Sequence, residues 1–170
     1  HKPASFKASY TSDTCATLTW SGDYTGMDGG YPWRDVTVFR NVDGGAFSAV
    51  KTLSWDVTNW QDNTISSGHR YGYYMVANGP GGTSEKTETL YVCTTPAAFK
   101  RLTASKTGAS RVELEAEGGS DWADGREFQR TKDSGSTWQQ VSLDADGCDA
   151  SAPAGTVKYR GRLYKLNQGG

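Results

Sequence analysis

At 170 residues, with a formal net charge of −1 and no block of Lys or Arg, the chain lacks the electrostatic footprint that nucleic acid or an anionic membrane would require. Hydrophobic residues reach only 35%, and no apolar run approaches the roughly 20 residues of a membrane-crossing helix. With aromatics at 12% and 21 glycines, the composition is that expected of a soluble all-β chain.

In chain order, Phe6, Ala8 and Tyr10 alternate as the inner face of a first strand, and Ala16, Leu18 and Trp20 as that of a second. A glycine-rich loop follows from Gly22 to Pro32. Val36 and Val38 open a third strand that turns at Asp43-Gly44-Gly45, where glycine tolerates positive φ, and returns through Phe47, Val50 and Leu53. The stretch from Trp55 to Asn63 predicts another strand. After Ser66-Ser67-Gly68, a further one carries Tyr71, Tyr73, Met75 and Ala77. Asn78 to Gly82 is a turn, and Thr87 to Val92 closes the set.

The hairpin is then written again. Val38-Phe39-Arg40-Asn41-Val42-Asp43-Gly44-Gly45 is echoed by Phe128-Gln129-Arg130-Thr131-Lys132-Asp133-Ser134-Gly135, with Arg40 and Arg130, like Asp43 and Asp133, 90 positions apart. Self-similarity at that period means two copies of one module. Domains are expected at residues 1–95 and 96–170, joined through Thr94-Thr95-Pro96. Copy two repeats the strand order through Leu102 and Ala104, through Val112, Leu114 and Ala116, and through Val157 to Leu163. It places Ala116 where copy one has Trp20, which predicts a weaker second core unless Trp138 or Phe128 fills the space. It also stops after the strand holding Tyr159. The seventh strand of that copy is missing, so either the sequence is cut short or a neighbouring chain donates the strand to an open edge. The start at His1-Lys2-Pro3, without Met, reads as a processed or excised piece with His1 a tag remnant.

Trp20 on the second strand, Tyr71 and Tyr159 on the sixth, seven strands and the period near ninety together resemble the fibronectin type III module, an immunoglobulin-like sandwich. The expected fold is all-β: two tandem sandwiches, the second lacking its last strand. More narrowly, the segment from Trp33 to Gly45, His69-Arg70-Tyr71-Gly72-Tyr73, and Leu90-Tyr91-Val92 before Thr94-Thr95-Pro96 resemble tandem modules of minor tail and other virion proteins of phages with Gram-positive hosts. The resemblance implies a non-catalytic structural or adhesion module of a virion, located there or extracellularly. Its implied partners are other virion or cell-surface proteins and host-surface carbohydrate. The alternative is an accessory module of a secreted carbohydrate-active enzyme or a cell-surface protein. Arg-Gly-Asp does not occur, so integrin binding does not carry over.

The glycan-binding expectation rests on the Gly22–Pro32 loop, where Tyr24 and Tyr31 offer ring faces for sugar C–H groups and Asp23 and Asp28 accept from hydroxyls. Copy two has only the short Ser120-Asp121-Trp122 segment there. Trp20, Trp33, Tyr71, Trp122 and Tyr159 are expected in the structural core, with Tyr71 and Tyr159 making corner hydrogen bonds. Cys15 and Cys93 fall at one pole of such a sandwich, where a disulfide or two separate thiols are equally compatible, and Cys148 stays unpaired or bridges to another chain. Asp144, Asp146 and Asp149 are spaced like calcium ligands but lack the rest of an EF-hand loop, so a polar turn is expected. Two histidines, with no nucleophile elbow, no phosphate loop and no metal-ligand spacing, predict no enzyme activity, no cofactor and no metal. His69 is expected to face solvent.

Overall fold

A computed structural model of the chain describes residues 1–22 and 33–169. They form two compact units, dividing between Thr95 and Pro96, with the residues from Asn167 onward grouping with the first.

The first unit contains β1 (Ala4–Ser12), β2 (Cys15–Ser21), β3 (Asp35–Val42), β4 (Ser48–Ser54), β5 (Asn59–Asp62), β6 (Arg70–Gly79), β7 (Gly82–Thr83) and β8 (Leu90–Cys93). One sheet has the order β1-β2-β5, and the other β4-β3-β6-β7 with β8 also on β6. All pairs are antiparallel. Period-two alternation turns Val36 and Val38 inward from β3 opposite Ala77 and Met75 of β6, and Leu18 inward from β2 opposite Ala8. Each such side chain, taken fully from water, contributes about 1.5–3 kcal/mol. Trp20 and Tyr71 are buried in this core, and Trp33 packs half-buried against it.

The closing strand is shorter than its sequence predicts. Between Ser84 and Thr87 the chain bonds to β6 partly through side chains, Ser84 Oγ accepting from Ala77 N (2.9 Å) and Thr87 Oγ1 from Met75 N (3.0 Å). Ladder pairing begins only at Leu90. Beyond it, Gln168 accepts from Cys93 N (2.7 Å) and Gly169 bridges Val92.

The second unit contains β9 (Arg101–Gly108), β10 (Arg111–Glu117), β11 (Gly125–Thr131), β12 (Gln139–Val141), β13 (Cys148–Asp149) and β14 (Lys158–Tyr164), in sheets ordered β13-β10-β9 and β12-β11-β14. Among the described residues, none stands beside β14 as β8 stands beside β6. The core is small, with Leu114, Phe128 and Val141 buried and Phe99 and Tyr159 packed against them. Phe128 is the aromatic that compensates for Ala116, stacking on Phe99 with centroids 6.0 Å apart and planes 2° from parallel. Trp138 instead lies under the Arg160 guanidinium, 4.2 Å away.

Two expectations need correction. Trp122 is half-buried in a turn and is not packed on the second core; the strand register aligns Trp33 with Ala123, and an offset of one residue changes which side a side chain faces. Tyr159 makes no corner bond, because register aligns it with Tyr73 and puts Val157 in the place of Tyr71. Of the two arrangements that the sequence leaves open for Cys15 and Cys93, the structure has separate thiols. All three cysteines are buried thiols, with Cys15 opening a strand of one sheet and Cys93 closing a strand of the other.

Candidate functional site

The chemistry-bearing side chains fall into two sets, one closed inside the scaffold and one on its surface. In the first unit, Asp62 ends β5 opposite Ala16 and turns inward. Its Oδ2 accepts from Arg40 Nη1 (2.6 Å) and from the Tyr73 hydroxyl (2.9 Å), while Oδ1 accepts from Thr64 N (3.0 Å) and Oγ1 (2.6 Å). Burial would push this carboxyl up, yet the Thr64, Arg40 and Tyr73 hydrogen bonds outweigh it and hold the group below the usual carboxylate range. The same burial, with the Asp62 charge beside it, raises the Tyr73 phenol.

The second unit repeats this set. Asp149 lies opposite Val112 and accepts from Arg130 Nη1 (2.6 Å), the Tyr159 hydroxyl (3.0 Å) and Ser151 N (3.0 Å). Burial opposes and the Arg130, Ser151 and Tyr159 bonds prevail, so its carboxyl is also lowered. Tyr159 is pushed up to about 12 by burial and then by Asp149. With Asp62 at 0% and Asp149 at 1% exposure, neither carboxylate can meet a substrate.

On the surface, the outer face of β3 and β6 carries a second apolar row. Phe39 and Tyr74 stack at 4.8 Å, Phe47 leans on Tyr74 at 4.8 Å, and Lys86 Nζ sits 5.4 Å from the Tyr74 ring. Beside them Tyr91 is 46% exposed, with Arg70 lying 5.3 Å from its ring centroid. Gly72 permits this arrangement, since a Cβ there would stand 2.4 Å from Asn41 Oδ1 and 3.0 Å from the Tyr91 ring. The row escapes a reading that tracks only the inner alternation. Its signal is that Phe39 and Tyr74 interrupt what should be a polar outer face, next to Val38 and Met75.

Other expected residues have different roles. Tyr24, Tyr31, Asp23 and Asp28 lie outside the described residues. The Tyr71 hydroxyl accepts from Ser66 N (2.9 Å), tying the turn before β6 to the strand. His69 faces solvent, its side chain 42% exposed, with Nδ1 2.7 Å from Asp43 Oδ2. Asp144 and Asp146 both pair with Arg111, at 2.7 and 2.9 Å, and Asp144 Oδ1 caps Asp146 N and Cys148 N. A guanidinium thus occupies these carboxylates. Among the described residues no group of three or more His, Cys, Asp or Glu is placed to hold a metal ion, and no helix is long and apolar enough to cross a membrane.

No family model matches the sequence, and no curated protein matches it. Solved structures do match the fold. A two-domain fibronectin type III segment of chicken tenascin superposes with a TM-score of 0.51 at 14% identity, over 99% of this chain and 94% of that one. The FN1–FN3 domains of chicken CNTN1 give 0.52 at 14% identity, over 99% of this chain and 62% of theirs. At such identity the likeness speaks for architecture alone, and it agrees with the strand order of each unit: the chain has the fold of two fibronectin type III-like β-sandwiches in tandem.

Proposed function

We propose that this chain is a non-catalytic structural and adhesion module of a phage virion, a tail or capsid appendage that contacts host-surface glycans through its first unit. The observation that carries the non-catalytic part is the duplicated network. Its carboxylates are buried and accept from one arginine and one tyrosine in the same way in both units, which is what a scaffold needs and what a general acid or base, requiring access to substrate, does not allow. Features that occur in one copy only support adhesion. The first unit alone has the long loop with Tyr24 and Tyr31, and it alone has the row of Phe39, Tyr74 and Tyr91 on its sheet. Flat rings beside polar groups suit sugars. The virion assignment is supported by the sequence resemblance of the segments around Trp33, His69 and Leu90.

A glycan array tests the proposal with the intact chain, a Tyr24→Ala/Tyr31→Ala variant and a Tyr91→Ala variant. Binding lost in the first variant places the sugar at the loop, and binding lost in the second places it on the sheet face. An intact chain that binds no glycan removes the adhesion reading.

A further inference from the structure

We propose that residues 167–169 are a latch of the first unit: seated between β1 and β8, they hold the end of β8 in its sheet, and their release is a local opening of that unit, separate from its unfolding.

Both strands lie at an edge. β1 is the outer strand of the order β1-β2-β5, and β8, four residues long, pairs only with β6 among the described strands. A bare strand edge presents unpaired N–H and C=O groups, and proteins cover such edges with loops. Here the cover comes from far along the sequence, since the residues from Asn167 onward group with the first unit. Thr94 N donates to His69 O on the β6 side (3.1 Å), so the preceding amide, that of Cys93, points to the opposite edge. There the Gln168 carbonyl accepts from it (2.7 Å), and Gly169 forms an antiparallel bridge with Val92. At this end β8 is therefore bonded on both sides.

The other side of the latch meets β1. A Cβ at Gly169 would stand 2.7 Å from Tyr10 N and 3.0 Å from Ser9 Cα. These are backbone atoms of a strand paired with β2, and they cannot swing aside as the tip of a side chain can, so the seam takes glycine here for lack of room. Polar bonds fasten the segment. The Gln168 side chain donates to the Tyr10 hydroxyl, which donates to Asp13 Oδ1 (3.1 Å), and that oxygen also accepts from Thr95 N (2.7 Å). Asp13, in the turn between β1 and β2, thereby gathers β1, the chain just past β8 and, through Tyr10, the latch. Yet Asn167 is exposed and Gln168 and Gly169 are only half-buried, whereas Val92 beneath them is fully buried. A short segment with so little buried surface opens at a fraction of the free energy of global unfolding. Its release leaves Val92 and Cys93 bonded to β6 alone, next to the exposed ring of Tyr91.

The test follows amide hydrogen exchange in the 170-residue chain and in its Gly169→Ala, Tyr10→Phe and Gly81→Ala variants. Nothing lies within 4 Å of a Cβ at Gly81, so that variant controls for the change of residue and should exchange as the parent does. Gly169→Ala displaces the acceptor of Cys93 N and should speed exchange there by about tenfold or more, and at Thr94 by less. Tyr10→Phe removes a hydroxyl but keeps the shape of the seam, and should raise the Cys93 rate by about fivefold. In both, Leu18 and Val38, fully buried on β2 and β3, should keep their parent rates. The proposal is overturned if Cys93 in Gly169→Ala exchanges as it does in the parent. It is overturned equally if Leu18 and Val38 accelerate by the same factor as Cys93, since the segment would then belong to the cooperative fold of the unit and not open by itself.

Discussion

The Tyr159 hydroxyl donates to Asp149 Oδ2 across 3.0 Å, and 86 positions earlier Tyr73 does the same to Asp62 across 2.9 Å. Arg40 and Arg130 complete each network from the neighbouring strand, and Thr64 and Ser151 from two residues beyond the carboxylate. Removing one partner of a buried pair leaves a stranded charge and typically costs about 3–5 kcal/mol, whereas replacing both by apolar residues costs far less. Asp62→Asn should therefore destabilise the first unit by about 3 kcal/mol, at the lower end because the Arg40 side chain keeps 18% exposure. Asp149→Asn should do the same in the second unit. Denaturant unfolding, followed by hydrogen exchange in each unit separately, measures both. An Arg40→Met/Asp62→Leu variant that proves less stable than Asp62→Asn would contradict the account.

The same networks set a pH window. Asp62 and Asp149 have folded pKa values below the unfolded value of about 3.9, so their contribution is present above that pH and lost as pH falls through the folded value. Tyr159 is raised to about 12, above the unfolded value of about 10. Its contribution is thus complete below about pH 10 and lost as pH climbs toward about 12. Unfolding free energy measured across pH should show a plateau between these limits and fall on both sides. An alkaline limb unchanged in Tyr159→Phe would sever the link to this phenol.

The hairpin repeat and the inner alternation were legible in the sequence because each is local: a turn signal at a fixed offset, and apolar residues at every second position. The network was half legible. Arg40 and Arg130 stood out at the 90-residue period, but Asp62 and Asp149 are 87 apart and Tyr73 and Tyr159 are 86 apart, since the loops between them differ in length. Matching these partners requires strand register, and without it Tyr159 aligns equally well with Tyr71. The outer aromatic row was illegible for another reason: Phe39 and Tyr74 find each other only across the β3–β6 pair, where they are direct partners.

Tyr71 is a corner residue with no second copy, because Val157 stands at its place. Its hydroxyl holds the turn at Ser66, and a neutral hydrogen bond of this kind contributes about 1 kcal/mol. Tyr71→Phe should lower the stability of the first unit by that amount while leaving the ring's packing intact. Unfolding measured beside Tyr73→Phe supplies the scale: the latter removes a bond to a buried carboxylate and should cost more, about 1.5–3 kcal/mol. Equal losses would mean that the two hydroxyls are not distinguished as the geometry requires.

Thiol chemistry follows directly from burial. Cys15, Cys93 and Cys148 are at most 9% exposed, so a thiol reagent should label the folded chain slowly and all three cysteines once it is unfolded. Mass spectrometry of chain unfolded without reductant counts them. Two fewer labels than three would establish a disulfide, and with it a different arrangement of Cys15 and Cys93.

Gly161 explains why the second core is not a smaller copy of the first. Its counterpart Met75 fills the centre of the first unit, but in the second unit that volume belongs to the Phe99–Phe128 stack. A Cβ at Gly161 would stand 2.7 and 2.8 Å from two atoms of the Phe128 ring and 3.1 Å from Phe99. Rings sandwiched in a stack yield less readily than the tip of a flexible side chain, and overpacking of this kind costs about 1–3 kcal/mol. Gly161→Ala should therefore destabilise the second unit by that amount, although alanine fits most strands with ease. Pairing it with Phe99→Leu tests the cause. The smaller side chain opens the stack, so the alanine should cost less in that background, and a cost unchanged there would place the strain in the backbone of β14 instead.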